Sequence, residues 1–159
     1  MKAKVKAIPE GFHTLTPTLV VHDAMKAIEF YKEVFGANIR RIFYGPEGKT
    51  VGHAELEIGD SKLMLSDEFP AMNVLSPQSP GGCTSASIFM YVEDADEVFN
   101  NAVSNGATVM MPLMDAFWGD RAGGIVDPFG HRWMLATHIK DLSDEELEEG
   151  AKSMFAEMG

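Results

Sequence analysis

The sequence predicts an α+β fold: two β-α-β-β-β modules whose curved mixed sheets surround a cavity. Two observations carry this. The first is an internal repeat. Val21-His22-Asp23-Ala24 and Val92-Glu93-Asp94-Ala95 each open a helical pattern, and Gly36-Ala37 and Gly106-Ala107 close them. Lys62-Leu63-Met64-Leu65 is echoed by Arg132-Trp133-Met134-Leu135. The offset is 71 residues from Val21 to Val92, and 70 from Gly36 to Gly106 and from Lys62 to Arg132. A fixed offset over this distance marks two copies of one supersecondary unit. The second observation is the hydrophobic period, which runs strand, helix, then three strands in each copy.

In the first copy, Thr14 to Val21 is apolar and β-branched, a strand. Asp23 suits a helix N-cap. Ala27, Ile28, Tyr31, Val34 and Phe35 recur at three and four, one apolar helix face, and Gly36 ends it. Strands follow over Ile39 to Tyr44, His53 to Ile58 and Lys62 to Ser66, with turns at Gly45-Pro46-Glu47-Gly48 and Gly59-Asp60. In the second copy, Ser85 to Val92 is a strand and Asp94 caps a helix carrying Val98, Phe99, Ala102 and Val103. Thr108 to Met114, Arg121 to Val126 and Arg132 to His138 are the remaining strands, with a tight turn at Asp127-Pro128-Phe129-Gly130. The expected organisation is one domain over 1–140, with module one at 12–67, a Pro/Gly-rich linker at 68–83 and module two at 84–140. A C-terminal amphipathic helix follows at 141–159. Ser143-Asp144-Glu145-Glu146 reads as its capping box, and Leu147, Ala151, Met154, Phe155 and Met158 as its apolar stripe. That stripe suits either the helix's own domain or a partner subunit.

Composition narrows the partners. The chain has 159 residues, a net charge of −11 and a single Cys83. An acidic surface argues against nucleic acid and anionic membranes, because phosphate binding needs basic surface. One cysteine allows no internal disulfide, and no apolar run approaches the roughly 20 residues needed to span a bilayer. These features read as a cytoplasmic protein.

The helix end Phe30-Tyr31…Phe35-Gly36, the paired modules and the Asp127-Pro128-Phe129-Gly130 turn resemble the vicinal-oxygen-chelate superfamily. That group holds glyoxalases, bleomycin resistance proteins, fosfomycin resistance enzymes and extradiol (dihydroxybiphenyl) dioxygenases. His53-Ala54-Glu55-Leu56, Leu63-Met64-Leu65-Ser66-Asp67 and Phe117-Trp118-Gly119-Asp120-Arg121 resemble its PhnB-like branch. The resemblance covers roughly residues 9 to 140 and implies a homodimer. Metal-dependent relatives place one ligand on the first and last strand of each module. Those positions carry Thr16, Met64, Ser87 and Met134 here. Hydroxyls and thioethers are poor ligands for a hard or borderline divalent ion. The sequence therefore points to no metal and no cofactor.

Alternation along the strands assigns the cavity lining. Ser87, Phe89 and Tyr91 face inward, as do Thr16, Thr18, Lys62, Met64, Arg132 and Met134. His53, Glu55 and Glu57 point the same way, because Ala54, Leu56 and Ile58 take the apolar side. His53 and Glu55, two apart, suit general acid/base work, or are simply solvated. Trp118, Asp120 and Arg121 suit a ligand-reading lip in which Arg121 grips an anion, or Asp120 and Arg121 pair with each other. His131 reads as surface, and His138 as a weaker site residue than His53. Two functions follow. One is a binder of a small oxygenated or anionic molecule in the concave intermodule cavity, without the family metal. The alternative is a glyoxalase-like lyase, isomerase or dioxygenase, using a divalent metal or His53/Glu55 acid–base chemistry.

Overall fold

The computed structural model describes residues 5–159. Strand–helix–strand–strand–strand order occurs twice. The first copy comprises β1 (Thr18–Val21), α1 (Ala24–Phe35), β2 (Asn38–Tyr44), β3 (Val51–Ile58) and β4 (Ser61–Asp67). The second comprises β5 (Ser87–Tyr91), α2 (Ala95–Ser104), β6 (Thr108–Asp115), β7 (Asp120–Val126) and β8 (Arg132–His138), followed by α3 (Asp144–Met158). Each copy is a four-stranded mixed sheet, ordered β1-β4-β3-β2 and β5-β8-β7-β6. The first and last strands of each copy pair in parallel and the others antiparallel. The chain divides into two compact units, Met1–Ser85 with Phe129–His131, and Ala86–Pro128 with Arg132–Gly159.

In the first unit α1 packs on β1, β3 and β4. Its core is Val21, Ala27, Ile28, Tyr31, Leu56 and Leu65, all fully buried. Phe129 completes an aromatic group with Phe30 and Tyr31, at centroid distances of 6.1 and 6.3 Å. Gly36 ends α1 at φ 65°, a left-handed conformation that glycine adopts without a Cβ penalty. In the second unit Phe99 of α2 lies against the sheet at Gly123, where an added Cβ would come within 2.8 Å of the Phe99 ring. The turn before β8 is secured by the buried Trp133, whose Nε1 donates to Asp127 at 2.9 Å.

The caps expose the repeat at atomic level. Asp23 accepts from Lys26 N, and Asp94 from Glu97 N. One residue on, the N–H of Ala24 donates to the Asp67 carboxylate at 2.7 Å, and that of Ala95 to Thr137 Oγ1 at 2.8 Å. Asp67 and Thr137 stand 70 residues apart, at the ends of β4 and β8. Each ties a helix start to the last strand of its sheet. Asp67 also accepts from Val51 N at 2.7 Å, so it anchors β3 as well. Asp67→Ala should therefore cost about 2–4 kcal/mol, the scale of two charge-assisted hydrogen bonds. Asp67→Thr, which rebuilds one of them, should recover part of that loss in urea denaturation. Equal stability of wild type and the alanine variant would refute this role.

Several strand boundaries depart from the sequence reading, most of all at β1. β1 begins at Thr18 rather than Thr14, and β5 at Ser87 rather than Ser85. Pro17 has no N–H for a ladder and offers only its carbonyl, which accepts from Met64 N at 3.0 Å. His131 is also not a surface residue. It is buried in the first unit, with Nε2 donating to the Val20 carbonyl at 2.8 Å.

Candidate functional site

The face of the first sheet opposite α1 carries His53 and Glu55, as alternation assigned them. β2 and β3 set Arg41 opposite Glu55 and Phe43 opposite His53, a block of four neighbouring side chains. The Arg41 guanidinium lies 5.7 Å from the centre of the Phe43 ring. The Phe43 and His53 rings stack at 6.2 Å. His53 Nε2 donates to Glu55 Oε1 at 3.3 Å, and the Glu55 side chain is 17% exposed. Met64 lies beside Glu55 in register.

The segment before β1 covers part of this face and leaves a cleft of about 810 Å³. Its walls include His13, Thr16, Arg41, Glu55, Lys62 and Met64. The lining has three fixed cations, Arg40, Arg41 and Lys62, against two carboxylates, Glu10 and Glu55. Glu57, just outside the lining, brings the carboxylates to three. Lys62 and, more distantly, Arg40 turn to Glu57, and the Lys62 contact holds the Glu57 carboxyl below its ordinary range. Arg41 is instead seated on an aromatic ring, which leaves its hydrogen-bond donors for a ligand.

The second unit distributes its expected residues over both faces of the sheet. Ser87, Phe89 and Tyr91 are exposed, with Tyr91 in register with Ala136. Asp120 is fully buried. Its Oδ2 accepts from Tyr91 Oη at 3.0 Å and from Trp118 Nε1 at 2.7 Å, and its Oδ1 from His138 Nδ1 at 2.8 Å. Hydrogen bonding to Asp120 raises the Tyr91 pKa. Trp118 thus spends its polar edge inside the protein.

Arg121 departs from the expected anion-gripping role. One residue along the strand from Asp120, it faces α2 and forms a two-pronged pair with Asp96 at 2.8 and 2.9 Å. Asp115 lies a further 3.4 Å from its other prong. The pairing lowers the Asp96 pKa and raises that of Arg121. The positive charge expected at a ligand site is already matched by two carboxylates on the helix-covered side.

Of the inherited metal positions, Thr16 and Met64 both line the cleft. Met64 lies opposite Thr18, whose hydroxyl is 3.9 Å from the thioether, and Met134 lies opposite Phe89. Thioether, hydroxyl and phenyl groups do not fit a divalent metal. Sequence reasoning missed Arg41 and His13, which lie outside the quoted motifs. The pairing of β2 with β3 brings Arg41 beside Glu55.

Comparison with known proteins agrees with this architecture. The model of the Glyoxalase/Bleomycin resistance protein/Dioxygenase superfamily matches residues 12–135. An uncharacterised protein of Mycobacterium bovis is 40% identical over 142 residues, covering 87% of this chain and 92% of that protein. Protein PA1353 from Pseudomonas aeruginosa, known from its crystal structure, gives a TM-score of 0.66 at 26% identity, over 80% of this chain and 99% of that one. The PhnB protein from Bacillus cereus shares the fold, with a TM-score of 0.63 at 23% identity over 79% of this chain and 99% of that one. By its repeat, its two mixed sheets and a family match over most of its length, this chain belongs to the glyoxalase/bleomycin resistance protein/dioxygenase superfamily.

Proposed function

We propose that this protein binds a small anionic or polyoxygenated molecule in the cleft on the face of its first sheet opposite α1. The Arg41 guanidinium in the cleft wall, seated on Phe43 and not on a carboxylate, carries this reading. Arg41 supplies the fixed charge, Phe43 and Met64 supply apolar surface, and Glu55 accepts from a ligand hydroxyl. A thermal-shift screen of small carboxylates, phosphonates and sugar acids should give hits that weaken about 10–100-fold in Arg41→Ala, the scale of a charge-assisted hydrogen bond. Arg121→Ala serves as the control, because its charge is held by Asp96 on the other side of its own sheet. Hits that bind Arg41→Ala as well as wild type would move the site elsewhere.

A second reading rests on the His53–Glu55 hydrogen bond. An imidazole and a carboxylate in contact at a cleft can move a proton from a bound substrate. If the protein is an enzyme, Glu55→Gln abolishes turnover while ligand affinity stays within a few-fold of wild type. If it is a binder, the same variant changes affinity alone.

Two copies should pair in solution. β6 is an edge strand, and Val109, Met110 and Met114 along it are 46%, 42% and 39% exposed. An apolar edge of this kind favours a covering partner. Light scattering at micromolar concentration should report a dimer, and Val109→Lys with Met114→Lys should reduce it to a monomer. A wild-type monomer would overturn this.

A further inference from the structure

The side chains around Asp120 form a built site in the second unit. Asp120 and His138 are register partners on β7 and β8, and Tyr91 shares their face. The Asp120 side chain is 1% exposed, whereas that of His138 is 52% exposed. A buried carboxylate therefore fixes two groups that reach the surface. Tyr91 commits its proton to Asp120, so the outer lone pairs of its oxygen remain acceptors. His138 commits Nδ1–H to Asp120, which turns Nε2–H away from the protein.

That outward N–H meets Asp141 Oδ1 at 2.9 Å. The Asp141 side chain is fully exposed, at 103%. Both ring nitrogens thus face acceptors, a demand only the imidazolium satisfies. Hydrogen bonds to Asp141 and then Asp120 raise the His138 pKa accordingly. The arrangement is an oriented cationic donor whose acceptor is a solvated carboxylate of the same chain. Beside it, Phe89 and Tyr91, with ring centres 5.2 Å apart, are 46% and 62% exposed and offer an apolar bed.

We propose that His138, oriented by Asp120, is a binding site for a small aromatic carboxylate, and that Asp141 occupies it as a tethered stand-in. A ligand carboxylate makes the same bond to Nε2–H, and its ring packs on Tyr91 and Phe89. Asp141 competes with it, because an internal occupant scales the observed affinity by the fraction of time the site is open.

The probe is benzoate, titrated at about pH 5.5 so that the imidazole stays charged in every variant that keeps it. Binding is followed by calorimetry and by the His138 ring resonances. If Asp141 fills the site about nine-tenths of the time, Asp141→Asn tightens benzoate by about tenfold. Adding His138→Gln to that variant abolishes binding, and neutral benzamide binds neither protein. All titrations are run in an Arg41→Ala background, which removes carboxylate binding at the first cleft. The groups facing the imidazole are Asp120, Asp141 and the Tyr91 phenol, so affinity falls as pH rises through the elevated His138 pKa. Benzoate binding no tighter to Asp141→Asn than to wild type would overturn the proposal. So would binding that leaves the His138 resonances in place.

Discussion

Gly119→Ala should destabilise the protein by about 3 kcal/mol or more, lowering the melting temperature by on the order of 10 °C. Gly119 has φ +94°, where an L side chain is strained. An added Cβ would also sit 2.1 Å from the Lys140 carbonyl oxygen. The contact is backbone against backbone, so no rotamer change relieves it. The closeness has a cause: the Gly119 carbonyl accepts from both Ile139 N and Lys140 N, at 2.9 and 3.0 Å. The start of β7 is thereby tied to the segment that leaves β8 for α3. Gly36→Ala is the comparison. It has φ 65° but nothing within 4 Å of an added Cβ, so it should cost about 1 kcal/mol. If both substitutions cost the same, the close approach at Gly119 contributes nothing beyond its backbone angle.

The repeat made the fold legible because it is a property of spacing, and spacing survives without tertiary information. The helix starts were legible for the same reason, since Asp23 and Asp94 each accept from an N–H three residues on. His53 and Glu55 could be assigned a face because Ala54 and Leu56 beside them are unambiguous core. Arg121 could not. Ala122, Gly123 and Gly124 follow it, and small residues on both faces erase the alternation that tells inside from outside. Its partner Asp96 lies 25 residues earlier, on the first turn of α2. His131 was misassigned for a related reason: its partner is a backbone carbonyl 111 residues away. Motif matching picked out Trp118-Gly119-Asp120-Arg121, but the four residues divide their tasks. Gly119 permits a close approach, Trp118 and Asp120 bond each other, and Arg121 serves the opposite face.

Asp120→Ala should cost about 3–5 kcal/mol, the scale of removing one partner from a buried charged network. The carboxylate is fully buried and accepts three hydrogen bonds, from Tyr91, Trp118 and His138. Deleting it strands the Trp118 N–H, frees the Tyr91 hydroxyl and leaves a void at the start of β7. Asp120→Asn should cost less. Its remaining oxygen can accept from two of the donors, while its NH2 confronts the third. The loss in Asp120→Ala should also depend on pH. His138 has a raised pKa in the folded protein, so its contribution is fully present below the unfolded value and fades as pH climbs through the folded one. The gap between wild type and Asp120→Ala in urea denaturation should therefore be wider near about pH 6 than near about pH 9. His138→Gln removes that dependence but keeps most of the gap, because Tyr91 and Trp118 still bond the carboxylate. A wild-type advantage below about 1 kcal/mol at both pH values would mean that Asp120 is an ordinary solvated acid. A gap that widens toward alkaline pH would mean that His138 is neutral in the folded protein.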